Sequence, residues 1–216
     1  MKPYSALLFV AAIFINLTAF GQAGINTESF KYIFKRTQNG ARASYVGKSH
    51  SFTFDVKGTN VKEQLVNGAD ENMHFIDVDK NLFQSSIVEM PQPIPASYNL
   101  ANLTVAQQKQ AIEGYVDYEL DYFNQIGVKP LKLKKDWIYI NSRLFMMWEF
   151  DVKFAQPGTS PADQVKGQVY LATACFNQML VFNIPLMDRK EQKKPENKLK
   201  SIAATLRLYN KSLAVK

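Results

Sequence analysis

The sequence predicts an α+β fold, with a central antiparallel sheet and helices packed on its faces. Three observations predict it. From Leu144 to Phe154 the residues alternate, with Leu144, Met146, Trp148, Phe150, Val152 and Phe154 on one side and Phe145, Met147, Glu149, Asp151 and Lys153 on the other. That period of two marks a strand with one buried face. Two further apolar runs follow, Gln168 to Cys175 and Met179 to Ile184, separated by Phe176-Asn177-Gln178, which reads as a meander of long strands. Two amphipathic helices flank this meander. Helices do not alternate with every strand, which argues against a parallel doubly wound sheet.

Taken in order, the chain opens with one basic side chain, Lys2, then an almost wholly apolar run from Ala6 to Phe20, then Ala19-Phe20-Gly21. This is the layout of a secretory signal peptide cut before Gln22. The apolar run is shorter than the roughly 20 residues of a spanning helix, so no transmembrane span is expected after cleavage. The expected organisation is a signal peptide over 1–21, a lead-in over 22–44, one α+β domain over 45–210 and a tail over 211–216. Thr27 to Arg36 fits a short helix or an edge strand. Gln38-Asn39-Gly40 is a turn, and Tyr45 to Val56 reads as a strand. Val61 to Asn72 is weakly patterned, and Asn67-Gly68 suggests a turn within it. Met73 to Val78 and Leu82 to Met90 form a hairpin around Asp79-Lys80-Asn81. Pro91, Pro93 and Pro95 end it, because proline lacks the N–H a ladder needs.

The clearest helix starts at Thr104, where Gln107 three residues on completes a capping-box pattern. Ile112, Val116, Leu120 and Phe123 line one face, with Tyr115, Tyr118 and Tyr122 on an adjacent strip. Gly127 closes the helix. The last helix begins near Pro195 and buries Leu199, Ile202, Ala203, Leu206 and Tyr209.

The order of elements resembles the Mog1/PsbP-like fold. The resemblance rests on the Ser51 to Met90 region, on the helix from Thr104 feeding Asp136-Trp137-Ile138-Tyr139-Ile140-Asn141-Ser142-Arg143, and on the run from the long strand to Ala203-Ala204-Thr205-Leu206-Arg207. The proline-then-tryptophan segment that follows the first strand in such proteins is absent here. The resemblance implies an α/β/α sandwich and a non-enzymatic protein that assists larger assemblies. It carries no site residue over.

Composition bounds the function. The chain has 216 residues, 46% of them hydrophobic, enough for one well-buried domain. Cys175 is the only cysteine, so no intramolecular disulfide forms. An exported chain without disulfides fits a bacterial periplasm or cell exterior. The formal charge is +7; without Lys2 there remain 25 basic and 19 acidic residues, or +6.

No hydrolase elbow, phosphate loop, zinc motif or cofactor motif occurs, and no catalytic residue, metal ligand or cofactor is assigned. His50 and His74 lie in strand patterns. An exposed strand face is the expectation for His74, with a metal site beside Asp70, Glu71, Asp77 and Asp79 as the alternative. Two basic clusters, Lys129, Lys132, Lys134 and Lys135 and then Arg189, Lys190, Lys193 and Lys194, would form a cationic surface if they lie close together. Tyr115, Tyr118 and Tyr122 would line a groove or edge the core. Nucleic acid is not an expected partner. The expectation is an exported binding or accessory module that works through a protein partner in the cell envelope. The alternatives are a binder of anionic lipid or polysaccharide and a hydrolase of unknown class.

Overall fold

The computed structural model describes residues 28–65, 72–89, 103–152, 165–176, 178–188 and 193–213, with the backbone alone at 89 and 193. Six strands come first: β1 (Lys31–Thr37), β2 (Gly40–Val46), β3 (Ser51–Lys57), β4 (Val61–Gln64), β5 (Met73–Val78) and β6 (Asn81–Glu89). Helix α1 (Val105–Gln125) leads to β7 (Pro130–Ile140), β8 (Arg143–Val152), β9 (Gly167–Cys175) and β10 (Gln178–Leu186). Helix α2 (Lys193–Ala203) and a short β11 (Arg207–Tyr209) complete the order. The expected signal peptide, the Asn67-Gly68 turn and the proline segment lie outside the described residues.

Seven strands form an antiparallel sheet in the order β4-β5-β6-β10-β9-β8-β7. The predicted meander β7 to β10 is there, and it returns from the far edge to the sheet centre beside β6. The turns obey local chemistry. Asp79 and Lys80 have φ of 51° and 71°, and Asn141 and Ser142 have φ of 48° and 64°. Two successive left-handed residues are what a tight hairpin matching the strand twist requires. At the β1–β2 turn Gly40 has φ 142°, and a Cβ there would collide with the Val56 carbonyl oxygen.

Helix α1 begins as predicted. The Gln107 N–H donates to the Thr104 hydroxyl at 3.3 Å, and the Thr104 N–H donates to the Gln107 side chain at 2.9 Å. Gly127, with φ 80°, follows the helix end. The helix lies across β9, β8 and β7 on one face of the sheet. It buries Ile112, Val116 and Phe123 against Met146, Trp148, Phe150 and Tyr170. The Trp148 and Tyr170 rings stack at 4.1 Å.

The opposite face corrects the expected picture of one sheet between helices. It is covered by α2 together with a second antiparallel sheet, β1-β2-β3-β11. The stretch Tyr45 to Val56 is two strands rather than one, broken at Gly47–His50, where the Gly47 N–H donates to the His50 carbonyl at 2.9 Å. The resulting β2–β3 hairpin has its own apolar face, Ala41, Ala43, Tyr45, Phe52, Phe54 and Val56, all buried against the larger sheet. From Lys31 on, the stretch expected as a short helix or edge strand is an edge strand, β1. It adds Tyr32 and Phe34 to the same core.

Two boundaries also differ. The last helix stops at Ala203 instead of running through Arg207. Thr205 ends it by donating to the Ile202 carbonyl at 2.7 Å and accepting from the Asp55 N–H at 2.7 Å. Tyr209 therefore belongs to β11, which pairs with β3. In β8 the buried face is not single: Phe145 and Met147 enter the two-sheet core while Met146, Trp148 and Phe150 face α1. Only Glu149 and Asp151 keep the expected polar side.

Trp148 is fully buried, so Trp148→Ala should cost about 3–5 kcal/mol in urea unfolding. Tyr139→Ala, at a residue 62% exposed on the edge strand, should change stability by no more than about 0.5 kcal/mol.

Candidate functional site

Strand β7 ends the seven-stranded sheet, so one of its edges has no strand partner among the described residues. Its register slips between Leu131 and Lys134, and Lys132 there has φ 53°, a bulge that twists the edge. The slip leaves Leu131 and Leu133 both about 40% exposed. Eight large hydrophobic residues are exposed among the described residues, and three of them, Leu131, Leu133 and Tyr139, lie on β7. Trp137 is half-buried beside them with the Lys109 ammonium 5.3 Å above its ring.

The predicted lysines border this strip. Lys132 meets Asp151 at 3.5 Å, Lys134 meets Glu149 at 2.8 Å, and Lys135 meets Asp117 of α1 at 2.7 Å. The hydrogen bond from Lys134 to Glu149 holds the Lys134 ammonium above the usual lysine range, and Glu196 of α2 adds to it. The start of α2 thus brings an acid toward β7. Lys129 and Lys194 are exposed. Arg189, Lys190 and the Lys193 side chain lie outside the described residues. The β7 half of the expected cationic surface is a ladder of alternating charge.

The tyrosine strip divides. Tyr115 is buried under α1, Tyr122 is half-buried beside Phe123, and Tyr118 alone is exposed. Next to Tyr115 the structure holds a residue the sequence reading passed over. Glu119 is 1% exposed, and neither carboxyl oxygen has a hydrogen-bond donor among the described residues. Burial pushes its pKa up to about 7, with the Tyr115 hydroxyl one turn back offsetting part of that. Glu119 lies seven residues after Ile112, on the face the stripe defines, so its burial was readable from spacing alone. Beneath α1 a single cross-strand row runs Gln84, Asn183, Tyr170, Trp148 from β6 to β8. Asn183 donates to Gln168 and to the Val169 carbonyl, both at 3.0 Å.

Neither histidine sits where the sequence reading put it. His74 is between the sheets, stacked on Tyr32 at 3.5 Å and edge-on to Tyr45 at 5.4 Å. It is not on an exposed strand face. His50 Nδ1 is 2.7 Å from Glu28, whose carboxylate also accepts from the Ser49 and His50 N–H groups. Burial raises Glu28, but those hydrogen bonds outweigh it and hold the carboxyl below its usual range. No group of three His, Cys, Asp or Glu able to hold a metal occurs among the described residues. Cys175 is buried, and burial pushes its thiol up to about 11. A depression of about 510 Å³ lies between the β1–β2 turn, the β3–β4 link and Asp79, and neither histidine lines it. Asp79 accepts from the Asn60 N–H and from both Thr59 donors, which keep its carboxyl low. It serves the turn.

No family model matches the chain. No curated protein matches it at a significant level. Among solved structures it is similar, with probability 1.00, to the solution structure of cyanobacterial PsbP (CyanoP) from Synechocystis sp. PCC 6803. The TM-score is 0.48 and the identity 11%, over 89% of this chain and 99% of that one. It is also similar to a crystal structure from Bacteroides thetaiotaomicron VPI-5482, at TM-score 0.34 and 11% identity, over 75% of this chain and 48% of that one.

Because Lys132, Lys134 and Lys135 are each paired, the combined change Asp117→Asn, Glu149→Gln and Asp151→Asn should free them. The variant should elute from a heparin column at clearly higher salt than the unchanged chain. Equal elution would mean the pairs do not hold the lysines back.

Proposed function

We propose that this chain is an exported binding module that works through a protein partner in the bacterial cell envelope. It docks that partner along β7 and the neighbouring face of α1. One observation carries the reading: β7 is a long, open sheet edge that leaves Leu131, Leu133 and Tyr139 exposed while its lysines are already paired with acids. An open edge offers unpaired backbone N–H and C=O groups. A partner that lays down an extended segment satisfies them and gains affinity from its main chain, while alternate side chains supply specificity. Leu131, Leu133 and Tyr139 suit an apolar segment. The alternating charges beside them set its register without making the surface a general anion binder.

Export rests on the layout of residues 1–21, a basic residue, an apolar run and small residues at the cut. Among the described residues no helix is long and apolar enough to cross a membrane.

The test places a photo-crosslinking residue at Leu133, at Tyr139 and, as a control, at Lys35, which is exposed on β1 of the other sheet. Each labelled chain is irradiated in the envelope of the organism that makes it. An adduct of one mass is expected at 133 and 139 and not at 35. Introducing Leu131→Asp should reduce the adduct at 139 by roughly tenfold or more, the loss of about 1.4 kcal/mol of binding. Adducts equally abundant at 35, or indifferent to Leu131→Asp, would refute docking on this edge.

A further inference from the structure

Glu119 is an acid placed where an anion is not tolerated. Helix α1 turns it into the cluster that also holds Ile112, Tyr115, Val116, Phe123, Trp148 and Tyr170. It is 1% exposed, and both of its oxygens lack a donor among the described residues. A buried polar group without a partner is rare in a settled interior, and an unpaired buried charge is costlier still.

The groups facing it offer no compensating charge, and the Tyr115 hydroxyl offsets only part of the effect of burial. From its own helix come the Tyr115 and Tyr122 phenols, and from β9 the Tyr170 phenol. All three are shifted upward, by burial first and by Glu119 itself, so none supplies a cation. From β8 the facing residues are Met146, Trp148 and Phe150, which do not titrate. On β7 the nearby base is Lys135, already bonded to Asp117 at 2.7 Å. From β10 the row presents Asn183, which is neutral.

We propose that Glu119 is a proton-binding site that gates α1: the helix sits on the sheet with the carboxyl protonated, and loss of that proton loosens the helix from β8 and β9. The carboxyl O–H is the one bond of the chain that changes. The proton passes to water when the helix lifts and returns when it reseats.

The direction with pH follows from linkage. The folded chain holds this proton up to about pH 7, whereas an unburied glutamate releases it near 4.5. The contribution is therefore fullest below about 4.5, falls as pH rises and levels off above about 7. Between those limits the folded-to-unfolded ratio should lose roughly tenfold per pH unit.

The full chain and Glu119→Gln are compared by urea unfolding from pH 4 to 9. Glutamine keeps the shape and removes the titration, so the difference between the two curves isolates this one group. That difference should grow in favour of Glu119→Gln across the interval from about 4.5 to about 7 and stay flat outside it. A difference that is flat throughout would overturn the proposal. Two measurements on the unchanged chain stand without the variant. The Glu119 carboxyl carbon, followed by NMR, should titrate near pH 7; titration below pH 5 would overturn the proposal. Hydrogen-exchange protection factors over residues 112–123 should fall from pH 5 to 8 while those of β9 and β10 hold. A fall shared by all three elements, or by none, would show that α1 is not gated.

Discussion

Strands β9 and β10 are buried along their whole length, on both faces. Everything else in the molecule follows from that constraint. A strand buried on both sides needs two covering layers, and each layer needs its own apolar surface. Helix α1 covers one side, and its stripe is matched by Met146, Trp148, Phe150 and Tyr170. The other side is too broad for α2 alone, which lies against β9 and β10 and touches the β5–β6 turn through Lys198 and Asp79 at 3.7 Å. The β1–β2–β3 sheet covers the remainder with a row of aromatic rings. Phe54 meets Phe182 at 4.8 Å and Phe83 at 6.0 Å. At roughly 1.5–3 kcal/mol for each large side chain buried, these two layers supply the stability that the absence of a disulfide leaves to the core.

Such an interior sorts its polar groups strictly. Thr173 donates to the Leu144 carbonyl at 2.8 Å, and Tyr45 and Ser85 share a 2.8 Å hydrogen bond between the sheets. Asn183 divides its amide between Gln168 and the backbone. Each of these is neutral and finds a neutral partner. Glu119 is the member of the set that ionises, and it sits where α1, rather than another strand, provides the wall. A helix held mainly by side-chain packing is easier to move than a strand held by a ladder on each side, so a titrating group has most effect there.

The parts of the fold that were legible are those written in local periodicity and cap chemistry. Thr104 and Gln107 fix the start of α1, the alternation through β8 fixes a strand, and Asp79-Lys80 fixes a hairpin. What was not legible depends on partners distant in sequence. The Gly47–His50 break is a weak turn by composition, and it becomes a hairpin because Glu28 grips the Ser49 and His50 N–H groups. Thr205 ends α2 because Asp55, far away along the chain, donates to it. The second sheet went unseen for the same reason: an apolar alternating strand looks alike whether it joins one sheet or lies across another. At the site, the lysines were legible as residues but not as pairs, since Asp117, Glu149 and Asp151 come from other elements. Glu119 broke the apolar stripe by type while keeping it by position, and a reading by type passed over it.

The sheet edges complete the logic. Edge strand β4 is only four residues long, and edge strand β1 exposes Lys31, Lys35 and Arg36. Short length and charge are the usual ways to keep a sheet from pairing with strangers. Strand β7 has the bulge and the lysines too, but it is 11 residues long and retains Leu131, Leu133 and Tyr139 in contact with solvent. An edge that needed only protection would have no use for those side chains, and edges β4 and β1 show that this fold can do without them. The combination of charge that is internally cancelled and apolar surface that is left uncovered discriminates against indiscriminate pairing while leaving a specific one open. That asymmetry between β7 and the edges β4 and β1 is what supports the docking proposed along β7.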